Sequence, residues 1–108
     1  MKLEIRTRHI VLTPEALAEA HRRVTVSLAR ISPWIRSVDI RLADINGPKG
    51  GADKLCRVRI RGRSMPSVVV EHVGTDVLAA LAFAVERAEQ TIVRKMARRR
   101  SFAPLLAF

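Results

Sequence analysis

The sequence predicts an α+β fold in the order β-α-β-β-β-α, a four-stranded sheet with two helices packed on one face. Three observations predict it. Residues 2–8, 36–45 and 55–61 alternate apolar with polar side chains, the period of a half-buried strand, and the β-branched run SVVVEHV at 67–73 supplies a fourth. Two longer stretches space their apolar residues by three and four, the stripe of an amphipathic helix. The length, 108 residues of which 48 % are hydrophobic, suits one domain around one core. Only 4 % are aromatic, so that core is built from Val, Ile, Leu and Ala.

The elements follow in order. In the first strand Leu3 and Ile5 point one way and Lys2, Glu4, Arg6 and Arg8 the other. Thr13-Pro14-Glu15 reads as a helix start: a capping hydroxyl, a proline at the first helical position and an acid near the positive end of the dipole. Leu17, Ala20, Val24, Leu28 and Ile31 form the helix's stripe, and Ser32-Pro33 ends it. Trp34 is expected to pack at the helix–strand corner. Val38, Ile40 and Leu42 alternate along the second strand, and Cys56, Val58 and Ile60 alternate with Arg57, Arg59 and Arg61 along the third. Between them NGPKGG, residues 46–51, is a loop; it lacks the Gly-Lys-Ser/Thr of a nucleotide-binding loop, although Lys49 and Lys54 stand near it. Gly74-Thr75-Asp76 breaks the chain and caps a helix over roughly 77–99, whose stripe is Leu78, Leu81, Val85, Ala88, Ile92 and Met96. The last three strands should form an antiparallel meander, and a right-handed crossover through the first helix places strand one parallel to strand two. Residues 1–100 read as one domain and 101–108, SFAPLLAF, as a short apolar tail.

Charge is the strongest compositional signal. Twenty Lys and Arg against ten Asp and Glu give a formal net charge of +10. Sixteen of the twenty are Arg, whose planar fork suits phosphate. Such an excess on a small domain points to a polyanion partner, nucleic acid above all. A single Cys excludes an internal disulfide and a multi-cysteine zinc site, and His9, His21 and His72 have no metal-ligand spacing. Neither a cofactor nor an enzymatic nucleophile is expected: Cys56 belongs to the apolar face of its strand, and an active thiol needs exposure beside a base. No apolar run reaches the roughly 18 residues of a membrane span, so a soluble, cytoplasmic protein without a membrane partner is expected.

This order of elements, with these lengths, resembles the ribosome hibernation-promoting factor and ribosome-associated inhibitor family, whose older label ties it to modulation of an alternative sigma factor. KLEIRTRHIVLTPEAL is similar to the family's first strand and the opening of its first helix, IRSVDIRLADI to its second strand, and DVLAALAFAVERAEQTIVRKMARRR to its basic final helix. The chain departs from the pattern at Leu78, where the family often has Tyr, at Ala82, where it often has Asp, and in its longer Gly-rich loop. It is most similar to a short form or an atypical member. The resemblance implies a non-enzymatic protein that binds the small ribosomal subunit and its ribosomal RNA, inhibits translation, and promotes ribosome hibernation under stress or in stationary phase.

Two basic surfaces are expected to carry RNA binding. One is the outer face of the sheet, with Arg57, Arg59 and Arg61 joined by Arg6, Arg8 and Arg41. The other is the final helix, with Arg87, Arg94, Lys95, Arg98 and Arg99, extended by Arg22 and Arg23 on the first helix. Arg87 and Arg94 match basic positions of the family's final helix; Gln90 and Met96 do not. No aromatic residue falls on the outer sheet face, which favours recognition of phosphate and shape over base stacking. Two rival readings are a general structured-RNA-binding module and an interaction regulator that forms a homodimer through its apolar tail.

Overall fold

The computed structural model describes residues 1–45 and 53–106, with side chains as far as residue 98. The elements are β1 (Lys2–Arg8), α1 (Pro14–Leu28), a 3-10 helix (Ala29–Trp34), β2 (Ile35–Asp44), β3 (Lys54–Gly62), β4 (Val68–Gly74) and α2 (Val77–Leu106). The order is β-α-β-β-β-α, as the periodicity predicts. The strands lie side by side in chain order, β1 parallel to β2 and the other two pairs antiparallel.

One face of this mixed sheet is dry. Val38, Ile40 and Leu42 of β2, Cys56, Val58 and Ile60 of β3 and Val68 of β4 are buried against Ala20, Val24 and Leu28 of α1 and Leu81, Ala84, Val85, Ala88 and Ile92 of α2. Leu3 and Ile5 of the edge strand β1 are half-buried against the same core. The other face is open, and β1 and β4 are the edges.

Local chemistry sets the helix starts. The Thr13 hydroxyl accepts from the Ala16 N–H at 3.0 Å, and Pro14 occupies the first turn, where its missing N–H is harmless. The Asp76 carboxylate accepts from the Ala79 N–H at 2.9 Å. The ion pair of Arg30 with Glu89 joins the 3-10 helix to α2.

Several expectations are corrected. The α-helix stops at Leu28, and residues 29–34 continue as a tighter 3-10 helix that holds Pro33 and carries Ile31 into the core. Leu17, expected in the stripe of α1, is 38 % exposed, and the buried stripe of that helix is Ala20, Val24 and Leu28. Trp34 is 40 % exposed: the 3-10 turn carries its indole to the rim of a groove shared with Arg30, Ile31, Val93 and Met96. The backbone of α2 continues to Leu106, so the basic run from Arg94 to Arg100 precedes the last turn and does not complement the end of the dipole. Register slips between Ile35 and Ser37, a bulge that lets Ile35 and Val38 both face the core across a spacing of three.

Candidate nucleic-acid interface

The open face of the sheet is built by the outward positions of four strands, and the register sets them in rows. One row runs Arg6–Arg41–Arg57–Glu71 across β1, β2, β3 and β4. The next runs Glu4–Asp39–Arg59–Val69. Arg61 stands beyond it opposite Ser37, and Arg8 stands at the other end opposite Ala43. Six arginines thus share this face with three carboxylates.

The pairing of these charges is uneven. Arg6 reaches Glu4 at 3.3 Å and Arg57 reaches Glu71 at 3.5 Å. Arg41, on the central strand between them, has no carboxylate partner among the described residues. Adjacent strands are about 4.8 Å apart, and like charges directly opposite one another destabilise a sheet. Three arginines abreast are therefore an unfavourable arrangement for the protein alone, and a favourable one once a polyanion supplies the missing charge. The row forms a ridge between two shallow concavities. One, of about 440 Å³, is lined by Glu4, Asp39, Arg59 and Arg61 beside the row itself. The other, of about 350 Å³, has Arg8, Ala43 and Leu55.

The predicted basic residues therefore fall into separate groups. Arg57, Arg59 and Arg61 share the open sheet face. Arg22 and Arg23 lie on α1, on the helical side of the molecule, and both clasp Glu19: Arg22 at 2.7 Å and 3.0 Å, Arg23 at 3.0 Å. The two guanidinium hydrogen bonds lower the Glu19 carboxyl to about pKa 2, so this carboxylate partly neutralises the pair. Arg87, Arg94 and Arg98 are exposed on one flank of α2 at spacings of seven and four. Lys95 is half-buried on a neighbouring row and, with Arg98, lines a groove against Ser64, Met65 and Pro66 of the β3–β4 turn. The side chain of Arg99 lies outside the described residues, as do the Gly-rich loop with Lys49 and the side chains of the tail.

Lys54, which stands next to the Gly-rich loop in sequence, is held by carboxylates. Its ammonium binds Asp53 at 2.8 Å and Asp44 at 3.1 Å, and these two carboxylates raise its pKa. It is committed to neutralising Asp53, which is 1 % exposed. Cys56 is fully buried, and burial pushes its thiol up to about 12. A thiol held neutral in this way is a poor nucleophile. His72 lies on the core side of β4, half-buried, its ring stacked on Phe83 of α2. The exposed Phe83 is the site feature that sequence reasoning missed. It lies off the apolar stripe of α2, and that departure was the available signal.

Among the described residues no group of three or more His, Cys, Asp or Glu could hold a metal ion. Among the same residues no helix is long and apolar enough to cross a membrane.

Comparison with known proteins agrees with the architecture. The family described as Sigma 54 modulation protein / S30EA ribosomal protein matches residues 3–100. A search of the curated proteins finds no match to the sequence. Among solved structures, a ribosomal subunit interface protein from Coxiella burnetii superposes with a TM-score of 0.71 at 9 % identity, covering 90 % of this chain and 99 % of that one. The N-terminal domain of Protein Y from Thermus thermophilus superposes with a TM-score of 0.62 at 19 % identity, covering 87 % and 98 %. At these identities the likeness is one of fold.

Proposed function

We propose, for a chain that belongs to the Sigma 54 modulation protein / S30EA ribosomal protein family, that it binds the small ribosomal subunit through ribosomal RNA and inhibits translation, promoting hibernation of ribosomes under stress or in stationary phase. The observation that carries this reading is the arginine row Arg6–Arg41–Arg57, whose central member has no ion-pair partner among the described residues, on a face otherwise open to a partner. Folded RNA presents phosphates in irregular arrays, and a rigid sheet presents guanidinium groups at fixed spacings, so several phosphates are neutralised at once with release of counterions. Arg59 and Arg61 extend the row, and Arg22, Arg23, Arg87, Arg94, Lys95, Arg98 and Arg99 supply the second basic surface on the helices.

The mechanism is occlusion. A rigid basic domain of residues 1–100 seats itself on the small subunit and competes with the messenger and transfer RNA that use the same surface; residues 101–108 form its short tail. No bond is made or broken, so the protein acts in the cytoplasm as a stoichiometric inhibitor and not as an enzyme. The description of its family as S30EA ribosomal protein, and the name of one structural relative, a ribosomal subunit interface protein, support the choice of target.

Sedimentation of lysate from starved cells through a sucrose gradient tests the reading. The protein should travel with ribosomal particles containing the small subunit, and its Arg41→Gln, Arg57→Gln, Arg59→Gln variant should shift toward the top. Wild-type protein found only at the top would refute ribosome binding.

A further inference from the structure

We propose that Phe83 is a stacking platform for an unpaired RNA base, with Arg87, Arg94 and Arg98 holding the phosphates of the same strand; this rests on the RNA-binding reading above and assigns the helical surface a different mode from the sheet.

The core does not explain this phenylalanine. The buried positions of α2 are 80, 81, 84, 85, 88 and 92, and Phe83 lies off that stripe with 47 % of its surface open. Its ring is nevertheless held. It stacks on the His72 imidazole with centroids 4.1 Å apart and planes at 27°. His72 is itself lodged beside Gly74 and Ala80: a Cβ added to Gly74 would lie 3.6 Å from His72 Nε2 and 3.5 Å from the Ala80 Cβ. The near-parallel stack uses one face of the phenyl ring, and nearly half of the residue remains in water. A ring backed on one side and open elsewhere can receive a base without losing rotamer freedom on binding.

Charge on the same flank indicates what would lie there. Residues 83, 87, 94 and 98 are separated by four, seven and four positions, so they line one side of the helix over about 22 Å at 1.5 Å per residue. The stack with His72 places this flank along β4. All three arginines are exposed, and none has a carboxylate partner among the described residues. An open aromatic ring followed by a line of uncompensated guanidinium groups is the combination that binds single-stranded nucleic acid, whose bases stack while its backbone follows the positive track. A stacked base is recognised by its π-face, so the site tolerates any of the four bases. The sheet face, which has arginines and no aromatic side chain, can bind paired RNA by its backbone but offers no aromatic ring as a platform.

The test uses the full chain and two probes of equal length, a single strand carrying one 2-aminopurine and its fully paired duplex. Phe83→Leu keeps the apolar bulk and removes the π-face; Phe83→Trp restores a larger one. Stacking predicts quenching of the 2-aminopurine by the wild type, weaker single-strand binding by Phe83→Leu of about 10-fold within a usual range of about 5- to 150-fold, unchanged duplex binding, and recovery in Phe83→Trp. Equal single-strand affinity and quenching in wild type and Phe83→Leu, with both melting alike, would overturn the platform while leaving the RNA-binding reading intact. Failure of the wild type to bind either probe would remove both. Equal losses for single strand and duplex would also overturn the platform, since they report a structural role for the ring.

Discussion

Neutralising Arg41 should make the isolated protein more stable and its RNA complex weaker. Arg41 stands directly opposite Arg6 on one side and Arg57 on the other. Each like-charged cross-strand pair is unfavourable by roughly 0.2–1 kcal/mol. Arg6 and Arg57 are partly compensated by Glu4 and Glu71, so the lower half of that range applies to each contact. Arg41→Gln keeps a long polar side chain and relieves both contacts, a gain of about 0.5–1 kcal/mol at low ionic strength. For a domain of this size that raises Tm by about 2–8 °C. Screening removes the gain at about 1 M salt, where the Debye length falls to about 3 Å. The same substitution deletes one cation from the RNA surface, so the slope of log K against log salt should fall by about 0.9. Thermal melts at low and high salt, with RNA titrations over the same salts, measure both quantities. If Arg41→Gln melted lower than wild type at low salt, or bound RNA with an unchanged salt slope, the account of the arginine row would be wrong.

Three further outcomes follow from the geometry. The Cys56 thiol is pushed up to about 12 from 9.0, so its neutral form belongs to the fold; this contribution is complete below pH 9 and is lost as pH rises toward 12, at up to about 1.4 kcal/mol per pH unit. Denaturant melts in the alkaline range should therefore fall more steeply for wild type than for Cys56→Ala, and native protein should resist thiol reagents near neutral pH; equal alkaline slopes would contradict the assignment. A Cβ at Gly62 would lie 2.4 Å from the Met65 carbonyl oxygen, a backbone atom, so Gly62→Ala must move the β3–β4 turn and should cost about 1–3 kcal/mol by chemical denaturation. Asp76→Ala removes the cap on the Ala79 N–H and should cost about 1 kcal/mol, whereas Asp76→Asn should recover most of it.

Most of the fold is legible in the sequence because two periods carry it. Alternation at Cys56, Val58 and Ile60 assigns those side chains to one face and Arg57, Arg59 and Arg61 to the other, and the burial of the first set follows. The Thr13-Pro14 start is readable because capping is local chemistry. What escapes is set by partners distant in the chain. The bulge at Arg36 exists only relative to β3. The ion pair of Lys54 with Asp44, ten residues away, exists only because the two strands pair there. That Arg41 has no ion-pair partner among the described residues depends on the register of three strands at once. For Phe83, periodicity says that it is off the core stripe, but only the packing of α2 against β4 shows which ring it meets.

The order β1-β2-β3-β4 also bears on how the chain reaches this state. From β2 onward each strand pairs with its sequence neighbour, and α2 then packs on β3 and β4, so this part closes mainly through local loops. β1 is different: its one pairing in the sheet, with β2, spans all of α1. Loop-closure entropy and contact order place the nucleus in the meander and make β1 the last strand to dock. Truncating Val58 should then slow folding, while truncating Ile5 should mainly speed unfolding. The strand that carries Arg6 is accordingly the first to detach, and the arginine row is complete only in the fully folded molecule.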